Sequence, residues 1–452
     1  MGMKIIIIGA GKIGATLIEN FVKEGHDVSL IDSSETAVTT HVNRFDINGV
    51  IGAGTERSVL LDAGVAYADV LVACTSKDEV NILSCVLSKK LGAKHTIARV
   101  RDPQYFNEME SLRKDLGLDL AFNPELQTAL EIERVLKFPS AKSVESFAGG
   151  RATMVEFDIL HNNPIIGKSI MEICREYGND VLFAMVKRGE KVIIPKGDCV
   201  LYSGDVVYII GSETDITDFT KRLRIFKPKA KSVFIIGGGK IAYYLAKELS
   251  EKGVAVKIME NNKTRCDELS EEIGNATILF GDGTDHSVLE EEGLKNSDAC
   301  VTLTGIDEEN VIISLFAKMQ EVSKVVTKVD RLSIASMVKQ FGLDTIISPK
   351  SVIANHIIKF VRENQVKSGD GINNLYVLND KVEAIEFTVN SSFEKINVPL
   401  KSMRIKKNVL VGGIVRGEEF ILPSGDTKFL PNDRVILVSA EKHVNELKDI
   451  LE

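Results

Sequence analysis

Gly9, Gly11 and Gly14 stand at the spacing G-x-G-x-x-G directly after the apolar run Ile5–Ile8, and Asp32 lies 21 residues beyond Gly11. These residue types at this spacing can hold a dinucleotide. The first glycine permits a tight turn, the second lets a pyrophosphate approach the backbone, and the third lets the helix pack closely on the strand. Free amides at the start of the helix attract phosphate, and the acid is placed to bond ribose hydroxyls. The plainer reading is a structural loop without a ligand; strand, loop, helix and acid in register argue against it. The chain writes the pattern a second time, with Gly237 and Gly239, Ala242 at the third position and Glu260 as the acid. Alanine is tolerated at the third position, and the longer arm of Glu260 changes the reach. Lys12 and Lys240 lie inside the loops, either adding positive charge beside phosphate or standing as solvated lysines.

Ligands of open parallel sheets sit at the carboxyl ends of strands. In the first copy those positions are Gly52–Thr55, Thr75–Ser76 and Arg99, and in the second Gly281–Thr284, Thr304–Gly305 and Lys328. Arginine there is suited to bidentate pairing with phosphate. A catalyst would need more. A dehydrogenase needs a proton donor or acceptor beside the hydride site, and no such pair is evident. His95 precedes an apolar strand and His286 sits in a polar stretch. Asp78 and Asp307 open helical segments, where acids are favoured. No G-x-S-x-G elbow, no P-loop and no zinc spacing occur. The reading is therefore of two nucleotide sites without catalytic or metal-binding residues. An NAD-dependent oxidoreductase with a duplicated domain is the alternative.

These residues need elements to position them, and the elements are duplicated. Glu260 follows Asp32 by 228 residues, as Gly237 follows Gly9 and Gly417 follows Gly189, while residues 50–69 match 279–298 at an offset of 229. A wandering offset means a duplicated unit with small insertions, not a short-period solenoid. Strands are expected at Lys4–Ile8, Asp27–Asp32, Val70–Thr75 and His95–Val100, with a helix from Gly11, a turn or helix from Ser33 and a helix over Asn81–Lys90. Apolar strands separated by helices predict a parallel sheet covered on both faces. Asn123–Pro124 and Ser348–Pro349 each open a helix; in the second, Val352, Ile353, His356, Ile357, Phe360 and Val361 share a face. The remainder of each copy is β-rich, with hairpins turning at "KRGEK" and "VRGEE" and a helix over Ser169–Tyr177. The fold class is α/β: two tandem Rossmann-like parallel-sheet domains, each followed by a small α+β C-lobe. The expected boundaries are 1–140 (N-lobe 1), 141–225 (C-lobe 1), 226–231 (a basic linker), 232–366 (N-lobe 2) and 367–452 (C-lobe 2).

The whole chain has 452 residues, 44% hydrophobic and 27% charged, with a net charge of −8. That is globular composition, and interspersed charge without a basic face argues against nucleic acid. No apolar run approaches the ~20 residues needed to cross a bilayer, so a soluble, cytosolic chain is expected. Six scattered cysteines without C-x-x-C pairs read as reduced core residues.

The stretches "MKIIIIGAGKIG…LID", "GAGTERSVLLDAGVAYADVLVACTSKDEVN", "IARVRDPQY" and "NPELQTALEI" strongly resemble the TrkA family of Trk-type potassium-uptake regulatory subunits. These are built of tandem regulator-of-potassium-conductance (RCK) domains. The resemblance covers nearly the whole chain, twice. It implies a non-enzymatic subunit that binds NAD(H) or ATP/ADP and gates a Trk/Ktr-type membrane potassium channel or transporter. It implies a ring, commonly a tetramer, on the cytosolic face of that partner. It also implies that Gly9, Ala10, Gly11, Lys12, Ile13, Asp32, Ala53, Thr75, Ser76 and Arg99 line the first nucleotide site. Gly237, Gly238, Gly239, Lys240, Ile241, Glu260, Asp282 and Thr304 would line the second. Two positions depart from the family pattern. An acid common in the turn after the third strand is present as Asp282 but replaced by Ala53. The glutamate that follows the helix-opening proline is present as Glu125 but replaced by Lys350. The two sites are therefore expected to differ in ligand.

Overall fold

The computed structural model describes residues 2–161, 163–331, 334, 337–338, 341–343, 345–365, 372–379, 382–440, 444 and 446–452. The first half opens with β1 (Lys4–Ile8), α1 (Lys12–Lys23), β2 (Asp27–Asp32), α2 (Glu35–Phe45), β3 (Asn48–Ile51) and α3 (Arg57–Asp62). It continues with β4 (Val70–Ala73), α4 (Asp78–Leu91), β5 (His95–Arg99), α5 (Pro103–Leu116), β6 (Leu120–Phe122) and α6 (Pro124–Lys137). The six strands form one parallel sheet in the order β3-β2-β1-β4-β5-β6. Ile5–Ile8 of β1 and all of β4 are buried, as expected for strands covered by helices on both faces. Chain direction across the sheet reverses between β1 and β4, which creates the crevice where such sheets bind ligands.

The second half repeats the plan with β12 (Ser232–Ile236), α9 (Lys240–Glu251), β13 (Ala255–Glu260), α10 (Lys263–Glu272) and β14 (Ala276–Phe280), the numbers β7–β11 and α7–α8 being kept for the intervening C-lobe. Then come α11 (His286–Glu291), β15 (Ala299–Thr302), α12 (Asp307–Met319), β16 (Lys324–Lys328), β17 (Thr345–Ile347) and α13 (Pro349–Gln365). The sheet order, β14-β13-β12-β15-β16-β17, matches the first strand for strand.

Each parallel sheet is accompanied by an antiparallel one. The first contains β7 (Ser143–Phe147), β8 (Ala152–Asp158), α7 (Ile170–Tyr177), β9 (Leu182–Arg188), β10 (Lys191–Ile193), β11 (Val206–Gly211) and α8 (Glu213–Arg222). The second contains β18 (Ile372–Asn379), β19 (Val382–Thr388), β20 (Val409–Arg416), β21 (Glu419–Ile421) and β22 (Arg434–Ser439). Their orders, β10-β9-β11-β8-β7 and β18-β19-β22-β20-β21, are again equivalent. Ser169 caps α7 in a capping box with Glu172. Residues 225–230 carry no helix or strand.

The chain forms two compact units, and each draws on both halves. One joins Met1–Glu133 with Ser232–Glu321 and Val325–Ile358; the other joins Arg134–Lys231 with Val322–Lys324 and Lys359–Glu452. The duplicated Rossmann-like lobes thus pack on each other. So do the duplicated antiparallel lobes, through an apolar layer that includes Phe147, Met185 and Ile210 from the first and Ala384, Ile436 and Val438 from the second.

Sequence-level expectations differ from the structure in detail. α4 begins at Asp78 and not at Asn81, because Asp78 and Glu79 fill its first turn, where acids offset the helix dipole. β4 ends at Ala73, so Thr75 belongs to the loop beyond it. The short edge strand β3 has half-exposed, mixed residues and no alternating pattern to betray it. Ile353, Ile357 and Val361 of α13 are buried as the periodicity indicates. All six cysteines are free.

Candidate functional site

The first cleft lies at the crevice beyond β1 and β4 and encloses about 930 Å³. Its floor is the glycine loop. Gly9 has φ +106°, and its amide donates to the Ile31 carbonyl at 2.9 Å. Gly11 caps α1 with φ −68° and ψ −174°, and a Cβ placed on it would meet nothing within 4 Å. That open space is where a phosphate would approach the helix amides. At Gly14 a Cβ would fall 1.9 Å from the Gly9 carbonyl oxygen, so here the absence of a side chain serves packing. The second lobe carries a real and fully buried Cβ at this place, on Ala242.

The acids brace these loops. Asp32 accepts from the Ala10 amide through Oδ2 at 2.7 Å and from the Ser34 amide through Oδ1 at 2.8 Å. Glu260 repeats this with Oε2 on the Gly238 amide at 2.7 Å and Oε1 on the Asn262 amide at 2.8 Å. The extra methylene of Glu260 therefore leaves the bracing pattern intact. Each carboxylate oxygen keeps a second lone pair for a sugar hydroxyl.

A device that sequence reasoning missed stands behind each loop. Asn81, fully buried on α4, accepts from the Thr75 amide at 2.8 Å and its hydroxyl at 2.7 Å, and donates to the carbonyls of Thr75 and Arg99 at 3.2 and 3.0 Å. Asn310 ties Thr304 to Lys328 with three of these four bonds, the Thr304 hydroxyl donating to the Ile306 carbonyl instead. The signal in the sequence is the asparagine that ends both "DEVN" and "DEEN". Their first residues are structural too: Asp307 accepts the Asp330 and Arg331 amides, both at 2.9 Å, and Asp78 accepts those of Arg101 and Asp102.

Arg99 and Lys328 are equivalent cations at strand ends. Arg99 donates to the Thr75 carbonyl at 3.2 Å and Lys328 to the Thr304 carbonyl at 2.7 Å. Burial pushes the pKa of both down, with Arg101 adding to the effect at Arg99 and Lys12 at Lys328. The buried Nε of Arg99 has no hydrogen-bond partner among the described residues. Burial also raises the Cys74 thiol to about 12, so it brings no charge into the cleft at neutral pH.

Of the residues expected at the first site, Gly9, Gly11, Lys12, Ile13, Asp32, Ala53, Thr75, Ser76 and Arg99 line one cavity. Ala10 contributes its amide to Asp32 instead of a wall. Gly237, Gly238, Gly239, Lys240, Ile241, Glu260, Asp282 and Thr304 line a second cavity of about 640 Å³. Asp282 accepts from the amide and hydroxyl of Thr284; Ala53 lacks that side chain, although its carbonyl still accepts the Glu56 amide at 2.9 Å. Both volumes suit a nucleotide-sized ligand.

Each cleft is completed by the opposite lobe. Ile241, Lys328, Asp330, Pro349, Lys350 and Ile353 close the first, and Arg101 and Glu125 close the second. Lys350 donates to the Asp330 carbonyl at 2.9 Å, and Lys12 reaches the Asp330 carboxylate at 3.5 Å. Arg101 pairs with Glu125 at 2.7 Å through Nε. Arg101, Glu125, Ile241 and Lys328 border both cavities. These cross-lobe walls come from residues more than 100 positions away and carry no motif.

The chain matches the TrkA-N domain family model over residues 5–124 and 233–349, and the TrkA-C domain model over 154–224 and 384–452. It is 32% identical to the Trk system potassium uptake protein TrkA homolog 2 of Methanosarcina mazei, over 99% of this chain and 100% of that one. It is also 32% identical to the TrkA homolog of Archaeoglobus fulgidus, with the same coverage of both. Among solved structures it resembles the GsuK channel bound to NAD, with a TM-score of 0.62 and 19% identity over 97% of this chain and 77% of that one. At that identity the likeness establishes the fold.

Proposed function

The chain belongs to the TrkA family of Trk-system potassium uptake proteins, and from that premise we propose that it is the nucleotide-sensing regulatory subunit of a potassium-uptake system. The observation that supports this most directly is the cross-lobe construction of the clefts. A ligand in either one touches residues of both Rossmann-like lobes, so its binding energy depends on how the lobes are set against each other. A ligand shifts a conformational equilibrium only by its differential affinity for the two states, and a two-lobed site supplies such a difference.

The ligands we propose are NAD(H), ATP and ADP. GsuK was solved with NAD, and each cleft here has the loop, acid and strand-end cation that such ligands require. The subunit is proposed to be non-enzymatic, to assemble as a homotetrameric ring and to act at the inner face of the membrane through its transporter. No helix among the described residues is long and apolar enough to cross a membrane. The domain boundaries proposed are 1–140, 141–225, 226–231, 232–366 and 367–452, the last of them, at 366/367, lying outside the described residues. The test is potassium flux through the reconstituted transporter with this subunit, adding NAD, NADH, ADP and ATP in turn, alongside calorimetric titration of each nucleotide. The expected result is binding with a ligand-dependent change in flux. Binding of none of the four removes the sensing function.

A further inference from the structure

The two clefts share one architecture and carry opposite charge. The first is lined by six cations, Lys12, Lys77, Arg99, Arg101, Lys328 and Lys350, against the three carboxylates Asp32, Glu125 and Asp330, a formal +3. The second is lined by Arg101, Lys240 and Lys328 against Glu125, Glu260, Asp282 and Glu309, a formal −1. Half of the difference lies in two substitutions between the duplicated halves. Glu125 and Lys350 both follow the proline that opens a cross-lobe helix. Glu125 borders both clefts and Lys350 only the first, so in the first cleft the lysine offsets the glutamate while in the second the glutamate stands without it. Ala53 in place of an acid removes a further negative charge from the first cleft, while Asp282 keeps it in the second.

Pairing inside the first cleft does not cancel the excess. Arg101 is engaged by Glu125 and Lys12 lies near Asp330. Asp32 has its oxygens on backbone amides. Arg99, Lys328 and Lys350 are hydrogen-bonded to neutral carbonyl oxygens, with Glu125 and Asp78 partly offsetting the charge of Arg99 and Asp330 and Asp307 that of Lys328. Burial costs Arg99 and Lys328 part of their hydration, and an anion would restore the lost stabilisation.

Resting on the nucleotide-sensing reading, we propose that the chain sorts its ligands by charge: the first cleft takes a nucleoside triphosphate, and the second takes a less anionic dinucleotide of the NAD type. ATP ends in a terminal phosphoryl group of about −2 charge that the doubly esterified pyrophosphate of NAD lacks. Lys328 and Glu125 border both clefts; what differs is Lys350, which faces the extra phosphate in the first, and Glu309, whose like charge opposes it in the second.

The test isolates each cleft in the full chain. Gly11 and Gly239 each leave open space where a side chain would go, so Gly11→Asp blocks the first cleft and Gly239→Asp the second. Calorimetry in magnesium-free buffer then ranks NAD, ADP and ATP. With Gly239→Asp, ATP is expected to bind at least about tenfold tighter than NAD, with the gap shrinking as salt rises. With Gly11→Asp, NAD is expected to equal or exceed ATP. Adding Lys350→Glu to Gly239→Asp is expected to weaken ATP by about tenfold or more and NAD by under about threefold. Lys350→Gln, which removes charge without reversing it, should fall between. The same ranking in both clefts, or ATP affinity indifferent to both Lys350 variants, overturns charge sorting while leaving nucleotide sensing in place. Absence of any binding in the unmodified chain overturns both.

Discussion

Gly11→Asp and Gly239→Asp separate folding from ligand binding, because the two effects have opposite signs. Gly11 is extended at φ −68° and ψ −174°, Gly239 at −68° and −175°, and neither has a neighbour within 4 Å of its Cβ direction. Both are N-cap positions, where aspartate is favoured over glycine by a few tenths of a kcal/mol, and an acid beside the helix N-terminus adds about 0.3–1 kcal/mol. The ligand-free protein should therefore melt at or slightly above its usual temperature. A phosphate drawn to the same amides would sit roughly 4 Å from the new carboxylate, where each pair of like charges costs about 1 kcal/mol in water and about 4 kcal/mol near a protein surface. Two phosphates raise the loss to about 3 kcal/mol or more, which is over 100-fold in affinity. The assay is thermal unfolding with and without nucleotide. Ligand at 100 times its dissociation constant contributes about 2.7 kcal/mol, a rise of roughly 5–10 °C for a unit of this size. Each single variant should lose the part of that rise owed to its own cleft, and the double variant should lose all of it. A double variant that keeps the full rise would show that the glycine loops are not the phosphate cradles. A ligand-free melting point lowered by more than about 4 °C would contradict the open space at these positions.

Gly14→Ala should behave in the reverse way. Its Cβ meets the Gly9 carbonyl oxygen at 1.9 Å, so α1 must shift, at about 1–3 kcal/mol of overpacking; urea unfolding that matches the parent protein would refute the close approach. Asn81→Ala leaves the Thr75 amide and the Arg99 carbonyl without their partner, at about 1–3 kcal/mol for buried groups. It should weaken ligand binding in the first cleft alone, and equal weakening in both clefts would count against its role as a local clamp. Asp307 gives a pH signature. Burial pushes its pKa up, but the Asp330 and Arg331 amides and the Arg331 guanidinium outweigh that and hold it below the usual carboxylate value. A depressed folded-state pKa stabilises the fold above about pH 4 and loses that stabilisation as pH falls through the folded value. Urea midpoints of the parent should converge on those of Asp307→Asn as the solution is acidified below about pH 4. Parallel curves would show that Asp307 is not the group responsible.

The parallel sheets were legible because their strands are apolar runs of β-branched residues and their loops carry glycines at fixed spacing. The acids at 32 and 260 and the cations at 99 and 328 were legible because the duplication aligns them. β3 was not, since a short edge strand with half-exposed residues has no periodicity. Asn81 and Asn310 were hidden by their type: a buried asparagine on a helix resembles a surface residue until its hydrogen bonds to the strand ends are seen. Glu125 and Lys350 stood out as a mismatch between the copies. Only the packing of lobe on lobe shows which cleft each of them enters.

The same packing bears on how such a chain evolves. In a symmetric pair of identical subunits, any substitution at a cleft is made twice, and both sites change together. Here the partner lobes are covalently joined and encoded separately, and each compact unit is gathered from both halves. A single codon can then alter one cleft and spare its twin. The contrasts of Ala53 with Asp282 and of Glu125 with Lys350 are the record of that freedom: one duplicated cleft has become two different ones, held at a fixed stoichiometry of one to one by the peptide chain itself.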